Sequence, residues 1–366
     1  MGAVGTLGDL QVLETLLQNE LKPLVKKIDV EAYYPRDFLI QLGKSGFFQS
    51  EKLTPAEVAL REVKVVEETA KVCMTTAFNI WCHLASLTYI RQCDNDFLKT
   101  KLLPQLENGE LLGATGLSNP MKYYAGLETL HLRAERVDGG FIVNGTLPAV
   151  SNLDERHWFG VIAEVNEQER VMLYINGQTP RLKMKEKLGY LGLNGSATYT
   201  CAFNDVFIPN DWVISEKADT FVQTIRPTFV LYQIPLGLGV TAASIQCIEK
   251  VANKQGGCNQ YVLIQPDELK GELEKLQLAA YKLTEKKDAA NEWKSFIELR
   301  LQVVNMTSKA VHTAMIHQGS GGYLQHSAPS RRLRESYFLV SLTPTVRHLE
   351  KMLYMVGQQQ ESSKPC

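Results

Sequence analysis

The hydrophobic period of this chain changes twice. Up to about residue 111 the apolar residues recur at three- and four-residue spacing, from about 112 to 214 they alternate, and after 215 the helical spacing returns. One element cannot bury both patterns, because a helix hides a stripe and a strand hides every second side chain. The order therefore predicts an α+β chain in three parts: an N-terminal α-helical domain over 1–111, a middle, mostly antiparallel, β-barrel-like domain over 112–214, and a C-terminal four-helix bundle over 215–366.

Local signals support each part. "TPAEVALREVKVVEETAKV" opens with Thr54 as N-cap, Pro55 at N1 and Glu57 at N3. "LETLHLRAERVDGGFIVNGTL" gives two strands around Asp138-Gly139-Gly140, "HWFGVIAEVNEQERVMLYING" gives two more, and "TYTCAFNDVFIPNDWVI" alternates up to Pro209-Asn210. The stretch from Val222 to Lys254 reads as one long, nearly all-round apolar helix region. "PDELKGELEKLQLAAYKLTEKKDAANEWKSF" and "ELRLQVVNMTSKAVHTAMIHQGS" are amphipathic helices, and the tail "QQQESSKPC" reads as disordered.

Charge narrows the possible partners. Lys plus Arg is 39 against 40 Asp plus Glu, so no basic field favours nucleic acid or an anionic membrane. The longest apolar run, "TFVLYQIPLGLGVTAASIQCI", carries Pro, Gln and several Gly and suits a buried helix. "MGAVGTLGDLQVLETLL" lacks the basic start of a signal peptide, and the seven cysteines are odd in number with no Cys-x-x-Cys pair. The expectation is a cytoplasmic protein with reduced thiols, no metal centre, no membrane and no nucleic acid. His83, among apolar neighbours, reads as a packed core histidine.

One segment is out of keeping with its surroundings. In "LVSLTPTVRHLEKM", residues 339–352, helical spacing runs on both sides of Thr343-Pro344-Thr345, where Pro344 lacks a donor and pushes Thr343 out of the α region. A helix broken there is either a turn or the edge of a site.

Longer motifs make the second reading specific. "ENGELLGATGLSNP", "FIVNGTLPAVSNLDERHWFGVIAEV", "KLGYLGLNGSATYTCAFNDVFIPNDWVI" and "HQGSGGYLQHSAPSRRLRES" occur in the order in which the acyl-CoA dehydrogenase superfamily carries similar stretches. The chain resembles that family over nearly its whole length. The resemblance implies FAD bound between the β domain and the bundle, an acyl-CoA or other acyl thioester as substrate, an electron-accepting flavoprotein or a flavin reductase as redox partner, and a homodimer or homotetramer. It assigns cofactor contacts to Thr115, Ser118, Ala149, Ser151, Gly319 and Thr345, with Asn119 a further polar group near the pyrophosphate. Ser151 stands where the family has Thr, and Ala149 where it has Trp.

The same resemblance exposes two departures. Thr343 sits where the family's catalytic Glu takes the α proton, and a hydroxyl is no general base near pH 7. The alternative base position, in residues 221–234, holds no Asp or Glu; His317, Glu335 and a group of the substrate itself are the remaining candidates. The family's Arg-x-x-Phe-Gly becomes "CNQYVL", with Cys258 and Tyr261 in those places and Lys254 the nearest cation. Three readings follow: a FAD-dependent oxidoreductase acting on the CH–CH group of an acyl thioester; a reduced-flavin-dependent monooxygenase of the same superfamily; and a non-catalytic paralogue that binds an acyl thioester or a partner protein.

Overall fold

Residues 7–286 and 291–362 are described by the structure, a computed structural model. The hexapeptide that begins the N-terminal reading and the last four residues of the tail lie outside them. Before the sheet come α1 (Leu7–Leu16), α2 (Val25–Val30), α3 (Arg36–Lys44), α4 (Pro55–Val72), α5 (Met74–Gln92) and α6 (Leu103–Glu107). The expected capping box forms: Thr54 accepts from the Glu57 amide at 3.3 Å and Glu57 accepts from the Thr54 amide at 2.8 Å, so two otherwise orphaned donors of α4 are satisfied.

The sheet comprises β1 (Gly113–Thr115), β2 (Leu132–Val137), β3 (Gly140–Val150), β4 (Trp158–Glu164), β5 (Arg170–Asn176), β6 (Leu182–Glu186), β7 (Tyr199–Pro209) and β8 (Val213–Ser215), with α7 (Ser118–Tyr124) following β1. Its order is β6-β7-β3-β2-β4-β5-β8, and β1 pairs with β4 in parallel. The other long ladders are antiparallel, while β2 meets β4 through the single pair Arg133–Glu164. Two antiparallel halves thus fold around one apolar interior containing Phe141, Leu147, Phe159, Leu173 and Phe203. The packing is barrel-like, with β6 and β8 left as edges.

After the sheet come α8 (Ala218–Leu231), α9 (Ile234–Glu249), α10 (Pro266–Thr284), α11 (Trp293–Gln318), α12 (Ser320–Tyr323), α13 (Ala328–Ser341) and α14 (Val346–Ser362). Three local readings need correction. The apolar region after Val222 is two helices, because Pro235 lacks an amide donor and fits the first turn of α9, where none is needed. The amphipathic helix that was to run to Phe296 ends at Thr284, and Trp293 to Phe296 open α11 instead; of the residues between, Glu285, Lys286, Asn291 and Glu292 bring no apolar side chain to the core, and 287–290 lie outside the described residues. The tail is helical to Ser362, since its Gln and Glu residues are good helix formers and no breaker intervenes before Pro365.

The span Ala218–Glu249 is long and apolar enough to cross a membrane by length and composition, and 89% of its apolar 18-residue window is buried inside the protein. The helices before and after the sheet share one continuous core, which runs from Leu13 through Phe78 and Leu236 to Leu339. The sheet keeps a separate interior. The line where these two bodies meet is where the chain has room for a ligand.

Candidate functional site

At that junction a cavity of about 190 Å³ is walled by α5, the end of β1, α7, the end of β3, the loop before β7, α8, α13 and the break after α13. It brings together Thr115, Ser118, Ala149, Ser151 and Thr343, five of the seven positions singled out in the sequence. The break forms as expected: α13 ends at Ser341 and α14 starts at Val346. Thr343 is 6% exposed, and its hydroxyl lies 3.0 Å from that of Ser118 across the cavity.

Hydroxyl groups dominate the polar lining. Ser151 Oγ and Ser196 Oγ both lie 2.8 Å from Thr198 Oγ1, and Thr115 Oγ1 lies 2.7 Å from Tyr89 Oη while accepting from the Leu117 amide at 3.3 Å. Asn152, buried in the left-handed region beside Ser151, donates to the Gly113 carbonyl at 2.8 Å and accepts from Tyr34 Oη at 2.6 Å. These bonds tie the end of β3 to β1 and to the N-terminal helices, and so hold Ser151 against the cavity. The opposite wall is aromatic: the Phe78 and Trp81 rings stack at 5.4 Å, Phe338 meets Phe78 edge-on at 4.7 Å, and Phe229 meets Trp81 at 4.9 Å. No carboxylate, histidine, lysine or arginine is among the lining residues.

The remaining expectations separate. Thr345 does not line the cavity; it caps α14, accepting from the His348 amide at 3.3 Å. Gly319 is exposed at the C-terminus of α11, where φ is +56°. Asn119 is structurally committed: its amide donates to Glu128 and to the Thr129 carbonyl, and its Oδ1 accepts from the His131 amide at 2.9 Å. Both candidate replacement bases lie outside the cavity. His317 Nε2 is 3.0 Å from the Ile264 carbonyl, and Glu335 is buried in a bidentate pair with Arg331 at 2.8 and 2.9 Å. Cys258 and Lys254 are exposed on or beside the short helical segment Gln255–Tyr261, and Tyr261 is 81% exposed. His83 is the expected core histidine. The Gly113 amide donates to Nδ1 at 2.9 Å and Nε2 faces the Leu106 carbonyl at 3.1 Å, which requires the neutral tautomer, and burial pushes its pKa down to about 3.

Sequence reasoning missed the aromatic wall. α5 is buried all round, so no stripe distinguishes Phe78 and Trp81 from their neighbours. It also missed a largely apolar hollow on the far side of Pro344, lined by Arg226, Trp293 and His348 among others. The Arg226 guanidinium lies 4.7 Å over the Trp293 ring with Nε unpartnered, and neither ring nitrogen of His348 has a partner. Burial, then the charges of Lys351 and Lys122, push His348 down to about 4. A wider groove with Tyr124, Arg170 and Gln223 adjoins this hollow through Arg226.

The lining is compatible with the ring of a flavin: the hydroxyls of Thr115 and Ser151 would be the groups to meet ring heteroatoms, and Ala149 would leave space beside them. No cation lines the cavity to meet the phosphates. Residues 10–110 match the family model described as "Acyl-CoA dehydrogenase, N-terminal domain". The chain is 25% identical over 254 residues to 2-methylacyl-CoA dehydrogenase, mitochondrial, of Solanum tuberosum, a match covering 64% of this chain and 59% of that protein. It thus spans about three fifths of the length of such relatives. Butyryl-CoA dehydrogenase from Megasphaera elsdenii superposes with a TM-score of 0.86 at 17% identity over 97% of this chain and 98% of that one. The FAD complex of PigA superposes at 0.83 and 18% identity, over 98% and 100%.

Proposed function

We propose that this chain, a member of the acyl-CoA dehydrogenase superfamily, is a FAD-dependent oxidoreductase acting on the CH–CH group of an acyl thioester. The observation that carries this reading is the convergence of Thr115, Ser118, Ala149, Ser151 and Thr343, distant in the chain, on one cavity. FAD would supply two-electron acceptor chemistry there. This chain's own part would be to hold the ring through Thr115 and Ser151, to exclude water with Phe78, Trp81, Phe229 and Phe338, and to seat the acyl end near Thr343. The hollow beyond Pro344, with Arg226 in it and Lys122 and Lys351 close by, suits the phosphate-bearing tail of such a thioester. Electrons would leave to a partner flavoprotein.

The homo-oligomer reading has its own support. Tyr261, Leu263, Tyr323 and Leu324 are 81%, 93%, 86% and 66% exposed. Asn259, which donates to the His317 carbonyl at 3.0 Å, ties their two segments together, and such a face is unusual on a lone subunit.

The lining without a carboxylate or histidine favours a second reading, a monooxygenase supplied with reduced flavin, because that chemistry does not require a carboxylate at Thr343. The deciding experiment is the visible spectrum of the purified protein, followed by anaerobic titration with short- and medium-chain acyl-CoA. Bleaching of a yellow protein is the expected result. A yellow protein that never bleaches, or one that takes up only reduced flavin, transfers the assignment to the monooxygenase. A colourless protein that binds neither form refutes both and leaves the non-catalytic binding paralogue.

A further inference from the structure

Arg300 stands in the apolar stripe of α11, among Ile297, Val303 and Val304, and none of its surface reaches solvent. Its Nε donates to Gln233 Oε1 at 3.1 Å and Nη2 to the Leu339 carbonyl at 3.0 Å, while Nη1 has no partner. Among the described residues no carboxylate pairs with it. The half-buried Arg91 and the buried Arg331 differ in this respect: one pairs with Glu62 and Glu107, the other with Glu335. Burial alone moves the Arg300 pKa, down to about 9, so the group keeps its proton at neutral pH. An unpaired buried charge is costly.

The position of the charge indicates a use. Gln233, which accepts from Arg300, donates through Nε2 to the Thr343 carbonyl at 2.9 Å. Phe338, Leu342 and Thr343, on either side of the accepting Leu339 carbonyl, line the cavity. Arg300 therefore lies directly behind a wall that has no charged group of its own. Charges buried together are screened far less than charges in water, so a cation one layer back still acts on what the cavity holds.

We propose that Arg300 is a positioning residue that makes the cavity electropositive and so favours the more negative state of its occupant, the FAD ring after reduction. The inference rests on the flavin reading above. When dithionite reduces bound FAD, two electrons and one proton enter the ring, which gains one negative charge. A nearby cation stabilises that state relative to the oxidised one and raises the midpoint potential.

The test uses the full-length protein loaded with FAD, with the midpoint potential measured by equilibrium dye titration. Arg300→Met removes the charge, Arg300→Lys keeps it, and Gln233→Glu leaves the guanidinium in place but gives it a counter-ion. Arg300→Met and Gln233→Glu are expected to shift the oxidised-to-reduced equilibrium about tenfold towards oxidised, roughly 30 mV for a two-electron couple. Arg300→Lys should stay within about twofold of the parent. If Arg300→Met does not fold, the contrast between Gln233→Glu and Arg300→Lys carries the test. Equal shifts in Arg300→Lys and Gln233→Glu, or none in either, overturn the proposal while the yellow colour keeps the flavin reading. A colourless protein that takes up no flavin overturns both.

Discussion

At Thr343 one side chain sets what the cavity can do. Its neighbours are hydroxyls and aromatic rings, so nothing within reach accepts a proton near neutral pH, and a positioned base contributes about 10² to 10⁴ in rate. Thr343→Glu would place a carboxylate opposite Ser118. Burial raises the pKa of such a group and the Arg300 charge behind it opposes the rise, which leaves it a usable base. The expected outcome is flavin reduction by acyl-CoA faster by about 100-fold, read by stopped-flow absorbance. A folded, yellow variant with an unchanged rate would show that the α proton is not removed from this position. Asn119 teaches the complementary lesson: a polar residue beside the site is not a ligand for the cofactor when its own bonds are already committed to the chain.

Among the elements, α9 decides how closely the helical layers approach. It packs against α4 at Gly239, where a Cβ would run into the Glu67 carbonyl oxygen, the Ala70 side chain and the Lys71 amide. Two of these are backbone atoms, which cannot swing aside as a flexible side chain can. Gly239→Ala should therefore destabilise the protein by about 1 to 3 kcal/mol despite its better helix propensity, read as a lower urea midpoint at an unchanged slope. A variant as stable as the parent would mean that the two helices slide apart at no cost. The consequence reaches the cavity, because α9 follows directly on α8, which carries Phe229.

For the molecule as a whole, three buried histidines link stability to pH. His83, His157 and His348 have pKa values pushed down to about 3, about 4 and about 4, in each case chiefly by burial. The unfolded chain takes up their protons near the ordinary value of about 6.5. Their contribution is therefore complete above about 6.5 and is lost as pH falls towards about 4. Each costs about 1.4 kcal/mol per pH unit across that window. Urea denaturation at pH 7 and pH 5.5 should show a drop of about 4 kcal/mol between them. His83→Gln, which can still accept from the Gly113 amide and donate to Leu106, should remove about a third of the drop. A parent equally stable at both values would show that these rings protonate without unfolding. The interface between sheet and helices is where such a loss is felt, since His83 binds β1 to α5 and His157 binds the chain beside Asn152.

The order of elements was legible in the sequence because it follows from local periodicity: Thr54 with Glu57 started a helix, Asp138-Gly139 turned a hairpin, and Pro344 broke the last long helix where it was expected to. Motif resemblance located Thr115, Ser118, Ala149, Ser151 and Thr343 for the same reason, since each lies in a recognisable run. Tertiary structure decided what touches what. That the helices on both sides of the sheet form one core, that Thr345 caps a helix instead of facing the cavity, and that Phe78 and Trp81 wall it all depend on contacts between residues far apart in the chain. Arg300 carried a faint local signal, a charge within an apolar stripe. Its lack of a carboxylate partner among the described residues is a property of the space around it, which no pattern along one chain records.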